Sequence, residues 1–143
     1  MTGVQTCALP ICQRLDAIPG VGPALATALV ASVADPGAFR SGRDFSAWIG
    51  LVPKQNSSGG KDKLGGITKQ GDRYLRSLFT VGALAVIRQA KLHGTKHRPW
   101  LAALLARRPT KVAAIALANK IARMAWAMMA RGECYKEPAA LAA

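Results

Sequence analysis

Acidic residues are scarce in this chain. Seven Asp and Glu stand against twenty Lys and Arg in 143 residues, a formal net charge of +13. The acids are scattered singly, so the sequence offers no carboxylate cluster of the kind that holds catalytic metal ions. Aromatics make up only 6% of the residues, which argues against a β-sandwich. There are two histidines, His93 and His97. Their i, i+4 spacing would suit zinc on a helix, but Gly94 and Pro99 break that helix and the chain is not expected to bind metal there. Cys7, Cys12 and Cys134 have no framework spacing, which predicts a reducing, cytoplasmic setting without disulfides. No uninterrupted apolar run of membrane-spanning length is present. Val112–Ala130 comes nearest, but Asn119, Lys120 and Arg123 interrupt it, so it reads as a buried helix with a wet edge and no membrane partner is expected. The first residues also lack the basic region of a signal peptide.

What is abundant is alanine and positive charge. Half of the chain is hydrophobic, and small residues supply much of that half. This composition predicts closely packed helices, an all-α compact domain of ordinary size. A charge of +13 on so short a chain points to a polyanion, of which nucleic acid is the commonest.

Met1–Cys12, "MTGVQTCALPIC", has neither charge nor a helical or strand period. It resembles the conceptual translation of a sequencing-library adapter and is set apart from the fold on that ground. The expected division is residues 1–12 as this artefact, 13–135 as one domain, and 136–143 as a flexible tail. If the first segment is an assembly scar, an upstream part of the natural protein is missing.

Leu15–Pro36 reads as a short helix, a turn through Pro19-Gly20-Val21-Gly22-Pro23, and a second helix with Leu25, Leu29 and Val33 on one face. Ala24, Ala28 and Ala31 are expected to allow close packing. The pattern looks like a helix-hairpin-helix element, whose Gly20 and Gly22 would offer backbone N–H groups to a phosphate. Ser41 and Asp44 form a capping box for a helix burying Phe45, Trp48 and Ile49, which Gly50 and Pro53 end. A long helix is predicted from about Gly71 to Leu92, with Leu75, Leu78, Phe79, Ala83 and Val86 inward. A short helix follows near Trp100–Ala106, and Thr110 is expected to cap a last long helix ending at Gly132. Trp48, Trp100 and Trp126 read as core anchors.

Between the capped helix and the long one lies "KQNSSGGKDKLGGITKQGDRYLR", Lys54–Arg76. The pairs Gly59-Gly60 and Gly65-Gly66 let a backbone come close to a ligand. Lys61, Lys63, Lys69, Arg73 and Arg76 surround that approach with cations suited to a phosphodiester. It is not a Walker loop, since the Gly-Lys-Ser/Thr ending is absent and no β-strand is expected to feed it. Ser57 and Ser58 put hydroxyls among these cations. A serine attacks phosphorus only when a base or metal removes its proton and cations neutralise the phosphate oxygens. The residues supply the cations and the hydroxyl, half of an active site at best.

From Leu15 to Arg76, and again through "NKIARMAWAMMARGECY", the sequence resembles the C-terminal transposase domain of the insertion-sequence-110 type, the serine transposases of bacterial insertion sequences. The specific marks are Gly50-Leu51-Val52-Pro53, the Ser-Gly that follows, and "GGITKQGDRYLR". The resemblance implies that Ser58, directly before Gly59, is the nucleophile on DNA, with Ser57 the fallback. It implies nucleic-acid contacts from the glycine-rich catalytic loop and its basic residues, a guide RNA from the element, and a homo-oligomer when full length. It also implies an RNase H-like domain ahead of this one, where Mg²⁺ would bind; no cofactor is expected on this part, which alone should be inactive. The alternative is a non-catalytic helix-hairpin-helix module that binds DNA or RNA.

Overall fold

The computed structural model describes residues 11–55, 64–96, 98–132 and 135. Helix α1 covers residues 11–16. It is followed by α2 (Pro23–Ser32), a 3-10 turn (Pro36–Ala38) and α3 (Gly42–Ile49). Two short strands come next, β1 (Pro53–Gln55) and β2 (Leu64–Ile67), then α4 (Arg73–His93), α5 (Pro99–Arg107) and α6 (Thr110–Arg131). The domain is mostly helical, as composition predicts. Helix α1 takes in Ile11 and Cys12, the end of the segment set apart on sequence grounds, and Ile11 packs against the core.

Helix α6 is the axis of the fold. Its buried residues are mainly alanine, Ala113, Ala114, Ala118, Ala122 and Ala125, joined by Leu117 and Ile121. Such small side chains let neighbouring helices approach closely, and α3, α4 and α5 all lie against α6. It is long and apolar enough to cross a bilayer by length and composition, yet half of its apolar window is buried inside this domain. The polar Asn119 that interrupts it accepts a hydrogen bond from the hydroxyl of Ser46, which is fully buried on α3. That pairing removes the cost of burying an unpaired polar group. Trp126 Nε1 donates to the Pro36 carbonyl at 2.9 Å and ties the 3-10 turn to α6.

Leu25, Leu29 and Val33 are buried as expected, and Ser41 Oγ accepts from the Asp44 N–H at 3.3 Å. Three expectations need correcting. Ala24 and Ala31 are exposed, so they do not make the close contact of the first helices. That contact is made by glycines instead: a Cβ on Gly82 of α4 would lie 1.9 Å from the Gly20 carbonyl oxygen. Thr110 is the first residue of α6 rather than its cap, and its hydroxyl accepts from Lys91 Nζ at 2.9 Å. Trp48 and Trp100 are 39% and 40% exposed, leaving Trp126 as the buried anchor of the three. Trp48 still rests on Phe39 and Phe45, with ring centroids 5.4 and 5.9 Å away.

Candidate active site

The stretch between α3 and α4 is a β-hairpin with a hydrogen-bonded root. Strands β1 and β2 pair antiparallel, Pro53 opposite Ile67 and Gln55 opposite Leu64, with an irregularity between the two pairs. Hydrogen bonds carry the pairing below the strands: Thr68 N–H donates to the Val52 carbonyl and Lys69 N–H to the Gly50 carbonyl. A strand therefore does lead into the loop, contrary to the expectation that none would. Half-buried Val52, Pro53 and Ile67, with Leu51 buried beneath them, give this short pair an apolar footing that a free loop would lack.

Two glycines interlock at this root. Gly50 ends α3 in the left-handed conformation, with φ +91°, and its N–H closes the helix on Ala47 and Ser46. A Cβ there would lie 2.2 Å from the Gln70 carbonyl oxygen. Gly71, with φ +89°, lies reciprocally against α3, where a Cβ would come within 1.7 Å of the Trp48 carbonyl oxygen. The end of α3 and the start of α4 thus meet backbone to backbone. Asp72 then caps α4 by accepting from the N–H groups of Tyr74 and Leu75 at 2.9 and 3.1 Å.

Of the residues singled out from sequence, Ser57, Ser58, Gly59, Gly60, Lys61 and Lys63 lie outside the described residues. They belong to the segment 56–63 that joins β1 to β2. Lys69 is exposed at the base of the hairpin and holds a positive φ of 57°, an uncommon state for a residue with a side chain. Arg73 is exposed on the first turn of α4. Arg76 is half-buried and turned inward, donating from Nη1 to the carbonyls of Ile49 at 3.1 Å and Gln70 at 3.4 Å. A guanidinium on the last carbonyls of α3 is favourable there, so Arg76 braces the root while Arg73 faces outward. Gly20, with φ +94°, faces Gly82, Val86 and Ile121, whereas Gly22 caps α2 with open space around it. The two glycines of the first turn are thereby separated, one in the packing and one at the surface.

The bracing role of Arg76 has a direct check. Arg76→Gln should lower the stability by about 1–2 kcal/mol, because two backbone acceptors lose a charged donor. An unchanged melting midpoint would show that the guanidinium is not needed by the root.

The described acids do not make a metal centre. Asp35 caps the 3-10 turn, Asp44 lies 3.4 Å from Arg40, and Asp72 caps α4. Among the described residues there is no group of three or more His, Cys, Asp or Glu placed to hold a metal ion.

Residues 12–98, which include the whole hairpin and its glycine root, match the family described as Transposase IS116/IS110/IS902 family. The chain belongs to this transposase family. It is 51% identical over 124 residues to a probable family 20 transposase of Pseudomonas aeruginosa, covering 87% of this chain and 37% of that protein. It is 49% identical over 126 residues to the putative transposase y4pF/y4sB of Sinorhizobium fredii, covering 87% and 33%. It is 47% identical over 125 residues to the transposase for insertion sequence element IS1111A of Coxiella burnetii, covering 87% and 34%. The chain spans about a third of the length of these relatives.

Proposed function

We propose that this chain is the C-terminal, nucleophile-bearing part of an insertion-sequence transposase, acting on DNA with a guide RNA of the element. The observation that carries the reading is the braced hairpin root within a transposase-family match. A rigid root positions the short segment that contains Ser57 and Ser58, and a nucleophile needs such positioning to reach phosphorus in line. Ser58 Oγ attacks the phosphodiester, with Ser57 as the alternative. Lys61, Lys63, Lys69 and Arg73 supply positive charge for the phosphate, and Gly59 and Gly60 let it come close to the backbone. The surface glycine Gly22, at the start of α2, offers a further backbone contact of the helix-hairpin-helix kind. We assign the base that takes the serine proton to another part of the protein: among the described acids Asp35 and Asp72 serve as caps and Asp44 faces Arg40. The whole protein works as a homo-oligomer in the cytoplasm, its acids carried by an RNase H-like domain that precedes this one.

Two measurements test the reading. A covalent protein–DNA adduct on Ser58, formed when this chain is joined to the remainder of the protein, tests the chemistry. For binding, affinity for DNA or RNA should fall steeply with salt, and replacing Lys61, Lys63 and Lys69 by Ala should flatten the log–log slope by about 2. Salt-independent affinity, or no binding at low salt, would refute the phosphate role.

A further inference from the structure

At the other end of α3 from the hairpin, the structure has a second concentration of positive charge. An open cleft of about 730 Å³ runs between the first turn of α3, the start of α5 and the outer face of α6. Arg40, Arg43, Lys120, Arg123 and Arg131 line it together with Trp100, and no carboxylate is among the described lining residues. Asp44 is the nearby acid and faces Arg40 across an exposed i, i+4 pair, which neutralises little. Among the described residues lining the cleft no acid offsets the mutual repulsion of the remaining cations. Such a cluster is disfavoured in the free protein and is relieved by an anion.

The cleft is held in shape by packing. Gly42 lies directly on α6, where an added Cβ would be 3.2 Å from Arg123 Cα, and the buried Ser46–Asn119 hydrogen bond fixes the next turn of α3. This sets Arg43 and Arg123 on adjoining walls. Along α6, Lys120 and Arg131 are eleven residues apart, ~16 Å at the helical rise. One small anion needs no such spread; a chain of phosphates does. On the rim Trp100 is 40% exposed, and Lys120 Nζ rests 4.2 Å from its ring centroid. A cation–π contact on such a partly exposed rim is weak. A phosphate can therefore draw Lys120 off the ring and uncover an indole face.

We infer that this cleft binds a segment of single-stranded nucleic acid, its phosphates against Arg43, Lys120, Arg123 and Arg131 and an unpaired base stacked on Trp100. A duplex offers phosphates but no unstacked base, which is why the exposed indole favours a single strand. The inference rests on the nucleic-acid half of the proposed function and not on the serine chemistry. It names a site about one short helix away from the hairpin root, with different residues.

The test uses the full chain and labelled single strands of about twelve nucleotides, DNA and RNA in separate arms, within the usual range of single-strand sites. The combined variant Arg43→Gln, Lys120→Gln, Arg123→Gln should lose roughly tenfold or more in affinity and reduce the salt slope by about 2. Its melting midpoint should match that of the parent; should it unfold, Arg43→Gln alone should reduce the slope by about 0.7. Single strands should quench tryptophan fluorescence, and the quenching should vanish in Trp100→Phe but persist in Trp48→Phe. The Lys61, Lys63, Lys69→Ala variant should retain the Trp100 quenching. Undiminished affinity and slope in the folded cleft variants, with loss confined to the loop variant, would overturn the cleft and leave the proposed function standing. Equal Trp100 quenching by a duplex would overturn the single-strand assignment. Displacement of the strand by phosphatidylserine vesicles as effective as that by unlabelled strand would overturn the nucleic-acid assignment. Absence of binding by the parent chain itself would remove both.

Discussion

Ser58→Ala is expected to abolish the covalent adduct between protein and DNA when this chain is joined to the remainder of the transposase and given Mg²⁺ and the guide RNA. The loss should be on the order of 10⁴-fold or more in rate, because no other group can replace the oxygen that bonds to phosphorus. Binding should change by no more than about twofold, since a contact dominated by phosphate charge gains little from one small hydroxyl. That split between chemistry and affinity separates a nucleophile from a mere phosphate contact, which would lose both together. Ser57→Ala should be milder. Mass spectrometry of the adducted peptide decides between the neighbours: a phosphoserine ester at Ser57, or an undiminished yield from Ser58→Ala, would reassign the nucleophile. Strand cleavage at full rate with both serines replaced would remove the serine mechanism altogether.

The second large effect is on stability. Gly71→Ala should cost about 3 kcal/mol or more, lowering the melting midpoint by roughly 10 °C in a domain of this size. Two terms add. The residue holds φ +89°, which a Cβ disfavours by about 1–2 kcal/mol, and that Cβ would come within 1.7 Å of the Trp48 carbonyl oxygen. The obstacle is backbone, so no rotamer change relieves it. Gly50→Ala meets the Gln70 carbonyl oxygen at 2.2 Å with φ +91° and should behave alike. Gly66→Ala is the control, because among the described residues nothing lies within 4 Å of its Cβ position. Its midpoint should move by no more than a neutral surface change, about 0.5 kcal/mol. Equal midpoints for all three variants would show that the root relaxes freely and does not hold the hairpin.

The helices were legible in the sequence because their signals are local. Ser41 three residues before Asp44, Gly50 and Gly132 after apolar periods, and Pro23 at a helix start each act within a turn or two. The hairpin was not legible as strands. Pro53–Gln55 and Leu64–Ile67 are too short and too poor in β-branched residues to show a period of two, and their pairing depends on contacts across the intervening segment. Arg76 shows the same limit. The sequence groups it with Arg73 among the cations around the loop, but its partners are the carbonyls of Ile49 and Gln70. The cations of the cleft come from α3 and from a wet edge of α6 at Lys120 and Arg123 that sequence reading treated as solvated. Only folding brings those segments together. Similarly, Gly20 and Gly22 look equivalent in "PGVG", and it takes Gly82 on α4 to distinguish them.

The root of the hairpin is fastened from below its strands, by Gly50, Gly71 and a side chain from α4. The domain thus resembles a socket with an exchangeable insert. Inserts of different length or charge taken from related transposases would seat in the same fixture without repacking the core. Changes in reactivity at the tip could then accumulate in evolution, or be introduced by grafting, independently of how well the helices hold together.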